Sequence, residues 1–285
     1  MNIYKISFKK LRQQPEVSEM LVALERGLGK YDIDFYLVGA VARDVWMTAI
    51  NGIPPSRITG DIDFAIFIND KGVYDALRKY LIEVEGFSPY KGNAFVLVWK
   101  GFLQVDLLPF GEISGKSDSV SIDGTGLTTI NAPGFQEIYD AGLPEADIEG
   151  KHQFKFCTLP GIVLLKLMAY QDRPEVRRDD IKDISKILQH FFDMYDEEIY
   201  EKHNDLFGPE TKLEHIAAEV MGREIAKITS VNAGLSERVD QLLEVNAGEL
   251  HSSALGRIMS EFFGNTIEDS VTVIKYMLKG YRSKR

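Results

Sequence analysis

The chain has 285 residues, 45% of them hydrophobic and 27% charged, enough for one large or two ordinary soluble domains. The net charge of −10, carried as 14 Lys+Arg against 21 Asp+Glu in residues 1–150 and 19 against 22 in residues 151–285, argues against a nonspecific binder of nucleic acid. A single cysteine, Cys157, excludes an internal disulfide framework and a Cys-based zinc site. With no signal-peptide core and no apolar run of membrane-spanning length, a cytoplasmic protein without membrane contact is expected.

A helical stretch is predicted from about Pro15 to Tyr31, followed by a buried strand in DFYLVG (34–39). Gly39 breaks that strand, and AVARDVWMTA (40–49) reads as a helix. A loop with Gly52, Pro54, Pro55 and Gly60 leads into the run ITGDIDFAIF (58–67), a strand bearing Asp61 and Asp63. Asp70 can cap a helix running to about Glu85. NAFVLVW (93–99) and FLQVDLLPF (102–110) alternate apolar residues on either side of Lys100-Gly101, a hairpin signal. Residues 111–150 are rich in Gly, Ser, Asp and Pro and suggest short strands and loops, and HQFKFCT (152–158) is the expected last strand.

From Pro160 onward apolar residues recur at helical spacing in PGIVLLKLMAYQ, IKDISKILQHFF and LEHIAAEVMGREIAKI, then in SERVDQLLEV, ALGRIMSEFF and SVTVIKYMLK. Two domains are expected, 1–158 and 159–285, the second all-helical and closing over the cleft of the first. The basic tail KGYRSKR reads as a solvated end. The five histidines and Cys157 read as structural or exposed, and Tyr36, Trp46 and the FFDMY stretch (191–195) as core.

Side chains alternate along a strand, so Asp61 and Asp63 point the same way while Ile62 and Phe64 point the other. Two like charges on one face repel, which calls for something positive between them. FLQVDLLPF adds Asp106; if its strand lies beside that of Asp61, three carboxylates share one patch, within roughly 4–6 Å of one another. Hard carboxylate oxygens suit Mg²⁺, which is usually shared with substrate phosphates. Upstream, Gly39 and Ala40 end a strand and open a helix, presenting bare backbone N–H groups that bind phosphate. Lys166, Ala169 and Arg173 share a helix face at i, i+3 and i+7, a cationic stripe suited to a triphosphate. Asp180 and Asp183 share another face, either as part of that site or in structural ion pairs with Arg177 and Lys186.

A small-residue turn opening a helix, then DxD on the next strand, then a third Asp on a later strand resembles the DNA polymerase β-type nucleotidyltransferase superfamily. VGAVARD (38–44) is similar to the VGGxVRD opening of CCA-adding enzymes and poly(A) polymerases, with Ala40 in place of the second glycine. Their RRDFT-type motif has no counterpart here. KLMAYQDR (166–173) resembles the KxxAxxxR motif of the AbiEii/AbiGii toxin nucleotidyltransferases. DDIKD (179–183) resembles their KDxxD motif, with Asp179 in place of the lysine. The resemblance covers about residues 35–190.

It implies an α+β fold, a polymerase β-like mixed sheet with flanking helices followed by an all-helical C-terminal domain. It implies an NTP-dependent nucleotidyltransferase, EC 2.7.7-like, moving an NMP to an acceptor hydroxyl with release of pyrophosphate. Asp61, Asp63 and Asp106 would hold two Mg²⁺ or Mn²⁺ ions, with Lys166 among the catalytic residues. Gly39, Ala40, Arg43, Lys166, Arg173, Asp180 and Asp183 would bind the nucleotide. The acceptor would be tRNA, another RNA or a protein side chain, and a cognate antitoxin is the implied protein partner. The alternative is a catalytically inactive nucleotide-binding sensor or partner-binding protein.

Overall fold

The structure, a computed structural model, describes residues 2–11, 16–55 and 60–283. Pro15, Ile58 and Thr59, along with Lys284 and Arg285 of the basic tail, lie outside the described residues. The chain divides into two compact units, Met1–Thr158 and Leu159–Arg285.

The first unit is built on an eight-stranded mixed sheet. Its strands in chain order are β1 (Ile3–Ile6), β2 (Phe35–Val38), β3 (Asp61–Phe67), β4 (Phe87–Pro89), β5 (Val96–Trp99), β6 (Leu103–Phe110), β9 (Glu145–Ile148) and β10 (His152–Phe156). Across the sheet they run β1-β9-β10-β2-β3-β6-β5-β4, and β7 (Ser119–Ser121) and β8 (Thr129–Asn131) form a separate two-stranded ribbon. β3 and β6 are parallel neighbours at the middle, with β2 antiparallel to β3 on the other side. The helices are α1 (Glu16–Lys30), α2 (Gly39–Asp44), α3 (Lys71–Glu83) and α4 (Phe135–Asp140). α2 continues as a π-helical segment over Val45–Ile50.

Local chemistry accounts for most of these boundaries. Asp70 caps α3, its side chain accepting from the Val73 N–H at 3.0 Å. Between β5 and β6, Lys100 and Gly101 both take positive φ, 47° and 79°, the twist that a two-residue hairpin turn requires. Strand register then decides the two faces of the sheet. Phe35 and Leu37 share a face with Phe64 and Ile66, with Val105 and Leu107, and with Phe154 and Phe156. α1 and α3 cover this apolar face: α1 packs on β10, and Tyr74 of α3 donates to the Leu107 carbonyl at 3.0 Å. The opposite face carries Asp61, Asp63 and Asp106 toward one end and the aromatic cluster Tyr36, Phe67, Phe110 and Tyr139 toward the other.

The second unit contains α5 (Leu159–Asp172), α6 (Arg178–Met194), α7 (Asp196–Lys202), α8 (Leu213–Thr229), α9 (Ala233–Ala247), α10 (Ala254–Phe263) and α11 (Ile267–Ser283). α8 and α11 cross backbone to backbone. A Cβ on Gly222 would stand 2.0 Å from the Met277 carbonyl oxygen, and one on Gly280 would stand 1.9 Å from that of Glu219. Only glycine admits this approach. Among the described residues no helix is long and apolar enough to cross a membrane.

Candidate nucleotide-binding and transfer site

β3 and β6 run parallel in a register that sets Asp63 opposite Asp106 and Asp61 opposite Gln104. Register partners on neighbouring strands point to the same face, with strands roughly 4.8 Å apart. Asp61 lies one pleat along from Asp63 and shares that face. All three acids are half-buried, whereas Ile62, Phe64, Val105 and Leu107 on the other face are fully buried. The shared face expected from the alternation is therefore present, and it is the hydrated one.

Gly39 follows β2 with φ +67°, a left-handed conformation. A Cβ there would lie 2.0 Å from Asp63 Oδ2 and 2.8 Å from its Cγ. The chain thus turns from strand to helix directly against the Asp63 carboxylate, and two independent constraints demand glycine. Val38 is the N-cap of α2 and has no side-chain acceptor, so no side chain of that residue caps the first-turn N–H groups of Gly39 and Ala40.

Arg43, expected at the nucleotide, is 1% exposed. Its Nε and Nη2 donate to Asp44 Oδ1 at 2.9 and 2.8 Å. The guanidinium is thus buried and ion-paired with the neighbouring Asp44.

The donor set of three hard carboxylates on one hydrated face suits a divalent cation in its chemistry. Among the described residues, however, no three His, Cys, Asp or Glu side chains stand together so as to hold a metal ion. The expected convergence of all three acids is thus narrowed to the Asp63–Asp106 register pair, with Asp61 beside it on β3.

Lys166, Asp180 and Asp183 come together within the second unit in an arrangement the sequence reading did not contain. Lys166 Nζ lies 2.7 Å from Asp180 Oδ1 and 2.9 Å from Asp183 Oδ2. The three residues are 8%, 8% and 3% exposed. Arg177 Nη1 stands 3.7 Å from Asp180 Oδ2. Lys166, expected to clamp a triphosphate, is instead the buried counter-ion of both aspartates. The physical reason is burial: a lysine on the apolar helix α5 is too costly alone, and two carboxylates one turn apart on α6 supply its partners. Arg173 remains exposed at the end of α5.

At the other end of β2, about 13 Å along four residues of strand, the sequence reading missed a polar cluster. Asp34 accepts from Lys155 Nζ and from the Tyr139 hydroxyl. Burial works to raise the Asp34 carboxyl, but hydrogen bonds from Lys155, Tyr139 and the Phe35 N–H outweigh it and hold the group below the usual carboxylate range. Tyr139 and Lys155 also line a surface cavity of about 560 Å³ with Asn2, Gly142, Leu143 and Pro144. Its residues come from three separate stretches of the chain, so no local motif marks it.

No protein-family model matches the chain, and no curated protein matches it. Solved structures similar at low identity include the following three. The solution structure of the antibiotic-resistance factor ANT(2'')-Ia is 15% identical, covering 81% of this chain and 97% of its own, with a TM-score of 0.37. An antigenic nucleotidyltransferase-like protein from Paracoccidioides brasiliensis is 17% identical over 79% of this chain and 93% of its own, with a TM-score of 0.37. A tRNA-processing enzyme in an apo form is 12% identical over 92% of this chain and 78% of its own, with a TM-score of 0.26. Likenesses of this size assign no activity, and the functional reading rests on the residues.

Proposed function

We propose that the chain is a metal-dependent nucleotidyltransferase that moves a nucleoside monophosphate from an NTP to an acceptor hydroxyl and releases pyrophosphate. The observation that carries this reading is the contact of three parts: the Asp63–Asp106 register pair, Asp61 beside it, and the Gly39 turn pressed against the Asp63 carboxylate. The Asp63–Asp106 pair, with Asp61 beside it on β3, would hold Mg²⁺ or Mn²⁺, which when bound would neutralise phosphate charge and lower the cost of the attacking and leaving oxygens. Gly39 and Ala40 bring backbone N–H groups to the phosphates at the positive end of the α2 turn. Nucleotidyl transfer needs positioning and charge neutralisation more than covalent help from the protein, and this face supplies both.

Arg173, exposed just beyond the C-terminal end of α5, is the cation of the KxxAxxxR motif that remains available to solvent and to phosphate. Lys166 acts through the buried Asp180–Asp183 pair to fix α5 against α6. The acceptor is read as tRNA or another RNA, or a protein side chain, with a cognate antitoxin as protein partner.

The test is incubation of the full chain with each α-labelled NTP, Mg²⁺ and either total RNA or lysate protein, with pyrophosphate measured in parallel. Label transfer with stoichiometric pyrophosphate, lost in Asp63→Ala, is the expected result. NTP binding that stabilises the protein with no pyrophosphate released would overturn the enzyme reading in favour of a nucleotide sensor.

A further inference from the structure

On the apolar face of the sheet, opposite the three acids, Ser18, His152 and Glu25 form a continuous hydrogen-bonded line. Ser18 and Glu25 lie seven residues apart on α1, two turns and about 10.5 Å of rise, so both project from one stripe of the helix. His152, the first residue of β10, inserts its imidazole between them. Its Nε2 lies 2.8 Å from Ser18 Oγ, and its Nδ1 lies 3.1 Å from both carboxylate oxygens of Glu25. The histidine is 1% exposed, and Phe8 stands edge-on to its ring at 5.9 Å.

The two contacts match one tautomer of the neutral ring. A carboxylate at Nδ1 accepts the N–H there, which leaves the Nε2 lone pair to accept the Ser18 hydroxyl proton. This is the order of nucleophile, base and orienter that activates a serine, and it is recognised by geometry and role rather than by sequence position. Merely satisfying a buried imidazole requires any donor and any acceptor. Here the acceptor is a carboxylate, and the group on the other nitrogen is a half-buried hydroxyl. Burial raises the Glu25 carboxyl, and its hydrogen bond and charge contact with His152 work against that rise.

We propose that Ser18 is the nucleophile of a second catalytic site, with His152 as its general base and Glu25 as the positioning residue, acting on small uncharged acyl esters. Charge sets the substrate class: Glu16 is exposed beside Ser18, Glu25 lies below, and Glu19 is paired with Lys100 Nζ at 2.8 Å, which leaves the surroundings net negative and unfavourable to an anionic substrate. Ser18 Oγ attacks the ester carbonyl carbon while its proton passes to His152 Nε2. That proton then goes to the departing alcohol as the acyl–oxygen bond breaks. Water attacks the acyl-serine next, gives its proton to Nε2, and the carboxylic acid leaves as the proton returns to Ser18. The site lies on the other face of the sheet from Asp63 and is independent of nucleotide transfer.

The test treats the full chain with a fluorophosphonate probe and maps the adduct by mass spectrometry; the serine oxygen bonds phosphorus and fluoride leaves. One adduct at Ser18, absent from Ser18→Ala, is the expected result. Glu25→Gln should keep the melting temperature of the wild type yet slow labelling by at least about tenfold, with Glu25→Asp recovering part of the rate. With p-nitrophenyl acetate the same variant should lower kcat and leave KM unchanged. Nucleotide transfer should be the same in Ser18→Ala as in the wild type. No adduct at Ser18, or equal labelling in wild type and a folded Glu25→Gln, overturns the proposal.

Discussion

The two units handle pairs of aspartates in opposite ways. On the sheet, Asp63 and Asp106 are held side by side by strand register and left half-exposed on a hydrated face. In the helical unit, Asp180 and Asp183 are buried and share one ammonium, Lys166, at 2.7 and 2.9 Å. Burial forces the second pair to be neutralised inside the protein, because unpaired ions there cost several kcal/mol each. The first pair is only half-buried and meets no such demand. Two pairs of aspartates, one brought together by strand register and one by a single helical turn, thus meet opposite degrees of burial.

The largest way to break this contrast is to remove the shared ammonium. Lys166→Met should cost about 3–5 kcal/mol of stability in urea unfolding, since it strands two buried carboxylates. Adding Asp180→Asn and Asp183→Asn to it should recover most of that loss. A cost below about 1 kcal/mol would place the cluster among the weakly coupled surface pairs and end the contrast.

Asp63→Ala sharpens it from the other side. Nucleotide transfer should fall by about 10²–10³, or roughly 2.7–4 kcal/mol in the barrier, the scale for losing one preorganised electrostatic contact. The melting temperature should hold or rise, because one of two neighbouring like charges is gone. A large loss of stability without metal would mark Asp63 as a structural ion-pair member like Asp183.

Gly39→Ala is next. The left-handed backbone costs an alanine about 1–2 kcal/mol, and its Cβ must push aside a carboxylate oxygen 2.0 Å away. Both stability and transfer should drop, with transfer dropping more. If transfer survives at the wild-type rate, the turn is not in the site.

The smallest effect concerns Asp34. Its carboxyl is held below the ordinary range, so its stabilising contribution is present above the unfolded value near 3.8 and is lost as pH falls through the lower folded value. The group is partly exposed, and after solvent screening the contribution is less than about 1 kcal/mol. Asp34→Asn should therefore be slightly less stable than wild type at pH 6 and converge with it below pH 3.8. Parallel curves down to acid pH would show that Lys155 and Tyr139 do not discriminate the ionised form.

Local rules made much of this legible. Period-two alternation in DIDFAIF and LQVDLLPF identified both acid-bearing strands and the face their carboxylates share, because side-chain direction in a strand depends only on parity. Gly39 announced the strand-to-helix turn, Asp70 the cap of α3, and Lys100-Gly101 the hairpin, since each is chemistry within a few residues. Helical spacing likewise foretold α5, α6 and α8 through α11. Four-residue β1 and six-residue α4 were not foreseen: β1 is held by pairing with β9, a partner about 140 residues away, and α4 spans too few turns to show a period.

What only the tertiary structure decided is which charges meet. Sequence spacing put Lys166 and Arg173 on one helix face and Asp180 and Asp183 on another, but not which face was buried against which. Once α5 and α6 pack, the lysine becomes the aspartates' partner. The same holds for Ser18, Glu25 and His152: periodicity aligns the first two on α1, while the third comes from a strand more than a hundred residues later. Parity and capping are properties of a short stretch of backbone and are readable there. Pairing of buried charges depends on which surfaces exclude water together, and that is settled only when the whole unit has packed.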